Sequence, residues 1–187
     1  MAVLVTGGAR SGKSSFAEKL TMHRGKQGIY LATSHIYDEE MRERIGLHQQ
    51  QRHHSGFPWE TREEPYALRD CLTQLHKSGE GAVVLVDCLT LWLTNWLLYY
   101  EQESNAVQLV SDQIDELVNV VSSYSGQLIL VTNEVGDGIV PEYPLGRQFR
   151  DLAGRMNQRV AEACQQVFLV TVGIPIELKS RAYMLDE

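Results

Sequence analysis

The feature that most constrains this chain is a short glycine-rich segment between an apolar run and a helical pattern. Residues 2–6 read AVLVT, and GGARSGKS follows at 7–14. The segment fits G-x-x-x-x-G-K-[ST], in which glycines let backbone N–H groups point inward at phosphate oxygens. An apolar strand before the segment and a helix after it are the context in which this pattern binds phosphates. The sequence therefore predicts a P-loop, and the alternative of a glycine-rich turn without nucleotide is disfavoured.

The residue types within the loop suggest separate roles. We expect Lys13 to act in catalysis by reaching the β and γ phosphates, and Ser14 to bind Mg²⁺. The helix that begins here adds its positive end to the same site. The predicted nucleotide-binding residues of the loop are Gly7, Gly8, Ala9, Arg10, Ser11, Gly12, Lys13 and Ser14.

A second apolar run, AVVLVD at 82–87, ends in an acid. P-loop enzymes hold their metal ion with an acid at the end of a neighbouring buried strand, directly or through water. Asp87 is therefore predicted to bind Mg²⁺ together with Ser14 and to contact the nucleotide. The alternative is that Asp87 only caps the segment that follows it. The favoured interpretation is a protein that binds a nucleoside triphosphate with Mg²⁺.

Strand-like and helix-like segments alternate along the rest of the chain. Short apolar runs predict strands at 28–32, 127–132 and 167–172, the last being the final strand, and a short edge strand is allowed within the loop 53–64. Periodic segments predict helices at 14–24, 38–52, 66–77, 104–123 and 146–165. This order predicts one α/β domain over 1–187, a RecA-like P-loop NTPase with a mostly parallel sheet and helices on both faces.

Composition narrows the function classes. The formal net charge of the 187 residues is -7, which argues against nonspecific binding to nucleic acid or anionic membrane. The most apolar window, 89–100, is too short and too interrupted by Thr and Asn to span a bilayer. No signal-peptide pattern is evident, and Cys71, Cys88 and Cys164 form no C-x-x-C pair. We therefore expect a cytoplasmic protein with reduced thiols, no nucleic-acid partner and no integral membrane segment.

Signalling GTPases are a poor match. Their D-x-x-G and N-K-x-D motifs would fall where this chain has DCLT at 87–90 and TNEV at 132–135. A small-molecule kinase is the default for a P-loop chain of this length. A nucleotide-dependent regulatory or binding protein without turnover is a further alternative.

The segment MRERIGLHQQQRHH at 41–54 holds three of the six histidines. On a helix, Arg44, His48 and Arg52 would share one face, because they are spaced four residues apart. Two guanidiniums would attract phosphate and favour the neutral form of the imidazole between them. A neutral histidine can attack phosphorus and form a covalent intermediate. The spacing alone, however, favours a solvated polar face.

Several segments together resemble one family, the bifunctional adenosylcobinamide kinase/adenosylcobinamide-phosphate guanylyltransferases of cobalamin biosynthesis. The similarity runs nearly end to end. Its most specific part is a long segment near the carboxyl end that is not generic to P-loop proteins. The matching segments are LVTGGARSGKS (4–14), YLATS (30–34), DEEMRERI (38–45) with His48, WET (59–61), DCLTLWLTN (87–95) and VTNEVGDGIVPEYPLGRQFRDLAGRMNQRVA (131–161).

The resemblance implies two reactions. The first phosphorylates the aminopropanol hydroxyl of adenosylcobinamide with ATP or GTP. The second forms a covalent guanylyl-histidine from GTP and passes GMP to the cobinamide phosphate, giving adenosylcobinamide-GDP. By the R-I-x-x-H pattern, His48 is the implied catalytic histidine, whereas His53 and His54 lie outside the pattern. A monofunctional P-loop small-molecule kinase remains the alternative.

The resemblance also implies further contacts and a homotrimer. The implied nucleotide contacts lie at the end of the second strand, in the residues that follow His48, and at Glu60 and Asp87. Two interpretations of Asn133 and Glu134 are equally favoured: they orient substrate, or they belong to a structural loop. Phosphate binding and a subunit contact are the two interpretations of Arg147, Arg150 and Arg155. Trp92 and Trp96 are interpreted as core or interface rather than corrin contacts. The implied contacts outside the P-loop are Ala32, Thr33, Ser34, Gln49, Gln50, Gln51, Arg52, Glu60 and Asp87.

Overall fold

The computed structural model describes residues 1–34, 46, 50, 52–78 and 81–183, and the structural statements below concern these residues. Seven strands form one sheet. They are β1 (Ala2–Thr6), β2 (Gly28–Ala32), β3 (Trp59–Glu63), β4 (Val83–Asp87), β5 (Leu128–Val131), β6 (Gln166–Thr171) and β7 (Ile174–Glu177). The sheet order is β3-β2-β4-β5-β1-β6-β7, and every neighbouring pair is parallel except β6 and β7.

Five α-helices cover the two faces of this sheet. They are α1 (Lys13–Arg24), α2 (Leu68–Ser78), α3 (Leu89–Tyr99), α4 (Ala106–Ser123) and α5 (Pro144–Ala163), with a 3₁₀ turn at Lys179–Arg181. Alternate strand residues point to opposite faces, so α1 packs on the face of Val3 and Leu85, and α2 to α5 cover the face of Leu4 and Leu130. The predicted parallel sheet with helices on both faces is confirmed.

The predicted strands at 2–6, 28–32, 82–87 and 127–132 are confirmed to within about a residue. The edge strand allowed in 53–64 is β3. The prediction that 167–172 is the final strand is wrong, because β7 follows and pairs antiparallel with β6. A proline within a short run argues against a strand, so the sequence pattern around Pro175 did not indicate β7. Proline is tolerated there because β7 lies at the edge of the sheet.

The sequence patterns also missed α3. Its side chains include Leu89, Trp92 and Leu97 in the interior, and α4 and α5 both pack against it. A helix enclosed on several sides is apolar around most of its circumference and shows little amphipathic period. The predicted helix over 38–52 falls mostly outside the described residues, although 46, 50 and 52–54 are helical. Within the described chain, no helix combines the length and apolar character needed to cross a bilayer.

A buried set of polar contacts joins the carboxyl ends of β2 and β4. Thr33 is fully buried, its hydroxyl donates to the Cys88 carbonyl at 2.6 Å, and it accepts from the Cys88 N–H at 2.8 Å. The Asn95 amide of α3 donates to the carbonyls of Thr33 at 2.8 Å and Pro65 at 3.0 Å. These bonds satisfy backbone groups that would otherwise be buried without partners, and they fix the edge at which Asp87 lies.

Replacing Asn95 with Ala should lower the free energy of unfolding by about 1–3 kcal/mol, because the buried Thr33 carbonyl and the partly buried Pro65 carbonyl lose their donor. Urea unfolding would measure the change. Asn119→Ala is the matched control, since Asn119 is exposed on α4, and it should stay within about 0.5 kcal/mol of the parent. Equal effects of the two substitutions would show that these contacts do not stabilise the sheet edge.

Candidate active site

The loop between β1 and α1 has a shape that only glycine allows at two positions. A Cβ on Gly7 would lie 2.4 Å from the Val170 carbonyl oxygen and 2.6 Å from Ser11 Oγ. Gly12 has a φ of 94°, and a Cβ there would approach the Gly173 Cα to 3.2 Å. Both glycines of the predicted pattern are therefore required by close packing or backbone conformation.

The turn between β6 and β7 supports this loop from outside. Gly173 has a φ of 81° and donates its N–H to the Ser11 carbonyl at 2.9 Å. The P-loop therefore rests on a hairpin that the sequence patterns did not predict.

Several groups around the loop can serve a phosphate ligand. Lys13 Nζ lies 3.2 Å from the Gly8 carbonyl oxygen, so the ammonium is held across the loop. The hydroxyls of Thr6 and Ser11 are buried and find no hydrogen-bond partner among the residues that the structure describes. Phosphate oxygens are acceptors that would satisfy such donors. Buried unpartnered donors beside a cation fit a bound polyphosphate.

Asp87 lies at the carboxyl end of β4, where the sequence predicted a metal-binding acid. The Tyr30 hydroxyl donates to Asp87 Oδ2 at 3.2 Å. Burial, reinforced by the charge of Asp87, raises the pKa of Tyr30 well above its ordinary value, so the phenol keeps its proton. Burial, together with the charge of Asp87, also raises the pKa of the Cys88 thiol to about 12, although the charge of Lys13 acts in the opposite direction.

The donor types at Ser14 and Asp87 fit Mg²⁺. A hydroxyl and a carboxylate are the hard oxygen ligands that this ion prefers, with phosphate oxygens and water completing the shell. No cluster of three or more His, Cys, Asp or Glu side chains suited to a metal occurs among the residues described.

Arg52 is held by protein contacts next to this site. Its guanidinium carbon lies 3.6 Å from the centroid of the Tyr30 ring, and Nη1 is 3.1 Å from Glu18 Oε1 of α1. The Arg52 side chain is 5% exposed. The contacts run from Glu18 through Arg52 and Tyr30 to Asp87. The Arg52 guanidinium, implied as a nucleotide contact, thus stacks on Tyr30 and pairs with α1.

The other predicted contacts are spread over the sheet. Ala32 and Thr33 lie at the end of β2 beside Asp87, and Ser34 follows them half-buried. Glu60 lies near the start of the edge strand β3, where Arg62 donates to it at 2.6 Å and lowers the pKa of its carboxyl. Glu60 therefore sits away from the carboxyl ends of the strands that carry the P-loop and Asp87.

The segment around the predicted nucleophile is only partly described. His48, Gln49 and Gln51 lie outside the described residues. Gln50 is exposed, and its carbonyl oxygen is 2.7 Å from His54 Nδ1. His53 and His54 are both exposed.

The long segment after β5 reaches the P-loop. The Glu134 N–H donates to the Gly7 carbonyl at 3.1 Å. Arg147 donates to the carbonyls of Pro141 and Glu142, and Arg150 to that of Gly136. The two arginines therefore hold the loop, while Arg155 is exposed on α5. Sequence reasoning missed the roles of Tyr30 and Glu18, although Tyr30 stands in the YLATS segment.

Gly12→Ala should lower the free energy of unfolding by about 1–3 kcal/mol, because Ala is strained at a φ of 94° and its Cβ presses on Gly173. Gly8→Ala is the matched control, since a Cβ on Gly8 meets nothing within 4 Å. Urea unfolding of both variants compares the two. A Gly8 variant as destabilised as the Gly12 variant would contradict the packing explanation.

Comparison with known proteins agrees with this geometry. One solved structure, described as a prototypical ATPase from the type III secretion system of pathogenic bacteria, aligns with a TM-score of 0.53 at 11% identity. The alignment covers 96% of this chain and 57% of that one, and it shows the P-loop NTPase fold alone.

Relatives in sequence cover nearly the whole chain. The bifunctional adenosylcobalamin biosynthesis protein CobP of Pseudomonas aeruginosa is 40% identical over 176 residues, which is 94% of this chain and 96% of that protein. The proteins named bifunctional adenosylcobalamin biosynthesis protein CobU are 41% identical in Salmonella typhimurium and 42% in Escherichia coli, each over 96% of this chain and 100% of its own length. Residues 3–178 match the family described as cobinamide kinase / cobinamide phosphate guanyltransferase, and the chain belongs to that family.

Proposed function

We propose that this chain phosphorylates adenosylcobinamide with ATP or GTP and then transfers GMP from GTP, through a covalent guanylyl-His48, to give adenosylcobinamide-GDP. The observation that carries the proposal is the meeting of a complete P-loop, its lysine and a strand-end acid at one sheet edge of a chain from this family. The named relatives are bifunctional adenosylcobalamin biosynthesis proteins, which supports assigning both reactions to one chain.

In the kinase step, the substrate hydroxyl oxygen forms a bond to the γ phosphorus and its proton is released to water. The bond from that phosphorus to the β–γ bridging oxygen breaks, and the nucleoside diphosphate leaves with the released charge. Lys13 and the amino end of α1 stabilise this charge. Mg²⁺, when bound by Ser14 and Asp87, neutralises phosphate charge. The Tyr30 hydroxyl donates to Asp87 Oδ2 and so helps to hold the carboxylate that would bind the metal.

In the guanylyl transfer, an imidazole nitrogen of His48 forms a bond to the α phosphorus of GTP. The bond to the β phosphate breaks and pyrophosphate leaves. An oxygen of the cobinamide phosphate then attacks the same phosphorus, and the imidazole leaves. Arg52, four residues along the chain from His48, is held by its contacts with Glu18 and Tyr30.

The proposal also covers the location, the oligomeric state and the ligands of the enzyme. We expect a cytoplasmic homotrimer with Mg²⁺, a nucleoside triphosphate and the cobinamide substrates as its ligands. A net charge of -7 makes nucleic acid an unsuitable partner.

Incubation with GTP labelled at the α phosphate should leave label on the protein that is labile to acid and stable to alkali, as expected of a phosphorus–nitrogen bond to histidine. His48→Ala should abolish the label and retain phosphorylation of cobinamide. His53→Ala and His54→Ala are the controls and should label like the parent. Undiminished label on the His48 variant would refute the assignment. Phosphorylated cobinamide without any GDP derivative from the parent would favour a monofunctional kinase.

Arg52→Ala should reduce the rate of guanylylation by about 10- to 100-fold, because the segment bearing His48 loses its contacts with Glu18 and Tyr30. Arg52→Lys should recover only part of the rate, since lysine keeps the charge but not the planar stacking. Rapid-quench labelling gives the rates. Arg69→Ala removes an exposed, ion-paired arginine on α2 and should leave the rate unchanged. An Arg52→Ala variant that labels as fast as the parent would contradict this role.

A further inference from the structure

β5 ends between the two halves of the nucleotide site. In the sheet it lies between β1, which leads into the P-loop, and β4, which ends at Asp87. Asn133 follows two residues after the end of β5 and is half-buried. Ligands of parallel α/β sheets bind at this edge, outside the carboxyl ends of the strands. A side chain at Asn133 is therefore well placed to meet a bound nucleotide.

A ring of hydrogen bonds fixes the backbone of Asn133. Its N–H donates to Thr90 Oγ1 at 2.7 Å, and its carbonyl accepts from Asn157 Nδ2 at 3.1 Å. The Thr132 hydroxyl donates to Asn157 Oδ1 at 2.7 Å, so the Thr90 hydroxyl is the donor in the 3.3 Å contact between the two threonines. Bonds arranged head to tail in this way polarise and strengthen one another.

This polar ring (Thr90, Thr132, Asn133 and Asn157) joins α3 and α5 to the segment that directly follows β5. Thr90 and Thr132 are buried, so their hydroxyls depend on these partners. The following residue, Glu134, donates its N–H to Gly7 of the P-loop. The backbone of Asn133 is thus tied to two helices on one side and lies one residue from a P-loop contact on the other.

The side chain of Asn133 takes almost no part in this. Its Nδ2 lies 4.0 Å from Cys88 Sγ, a weak contact, and the carboxamide makes no further hydrogen bond to the described part of the chain. Asn95 shows the contrast: its amide donates to the carbonyls of Thr33 and Pro65 and holds the fold together. A residue whose backbone is fixed while its amide donors stay uncommitted is suited to bind a ligand.

We propose that the Asn133 carboxamide donates a hydrogen bond to the γ-phosphoryl group of the nucleotide during its transfer. It acts as a third contact beside Lys13 and the metal-binding pair Ser14 and Asp87. The inference rests on the proposed phosphoryl transfer and adds no bond-making step to it. Thr90 and Asn157 are positioning residues, because they act through the backbone of Asn133.

Asn133→Ala should lower kcat for phosphorylation of cobinamide by about 100-fold and change KM for ATP by less than about threefold, since a donor aimed at developing charge acts mainly in the transition state. Asn133→Asp should be at least as slow, because its carboxylate would face the phosphates. Aspartate has nearly the same shape as asparagine and keeps both backbone hydrogen bonds of residue 133. This variant should therefore fold like the parent, so a slower rate reports on the lost amide donor. Asn119→Ala should behave like the parent.

Affinity for ADP with aluminium fluoride and Mg²⁺, a mimic of the transferring phosphoryl group, gives a second readout. It should fall by about the same factor as kcat in both Asn133 variants, whereas affinity for ADP alone should not change. This measurement needs no cobinamide. A parent that binds the mimic but leaves cobinamide unphosphorylated would refute the proposed function, and the Asn133 inference would still be decided by the mimic. Variants that match the parent in affinity for the mimic would overturn the inference.

Discussion

The parallel register of four central strands is the constraint on which the site depends. Ala32 lies opposite Asp87, Asp87 opposite Val131, and Val131 opposite Val5, so the four strands end together. These strands are buried on both faces, and a slip of one residue would exchange the two sets of core side chains. Hydrophobic packing therefore sets the positions of polar groups that take no part in it. The site is precise because the core beneath it has one register.

Polar side chains that follow the strand ends have two different structural roles. Thr33 and Asn95 satisfy buried backbone groups and hold two strands together. The ring around Asn133 instead holds one residue still and leaves its amide uncommitted. Sequence types alone do not separate these uses, because an asparagine after an apolar run looks the same in both. The structure distinguishes them: the Asn95 amide donates to backbone carbonyls, whereas the bonds of the ring use the backbone of Asn133.

Sequence patterns predicted the P-loop, Asp87 and the central strands because each depends on local chemistry: a glycine turn, an acid, an apolar run. They did not predict α3, because a helix packed on several sides is apolar around most of its surface and shows little helical periodicity. They did not predict β7, because it contains Pro175, which a strand tolerates only at a sheet edge. The stacking of Arg52 on Tyr30 depends on tertiary proximity and carries no local signal. His48 emerged from the family resemblance, since its spacing alone favoured a solvated face.

The support of the P-loop by the β6–β7 turn has a consequence for synthesis of the chain. The loop is made before the β6–β7 turn, yet Ser11 receives its hydrogen bond from Gly173 of that turn. Among the described residues, the strands that pair with β1 are β5 and β6, which are made much later than β1. A growing chain can complete its earlier helices while β1 still waits for both neighbours. The P-loop of the nascent protein therefore receives its outside support only after the β6–β7 turn has been made.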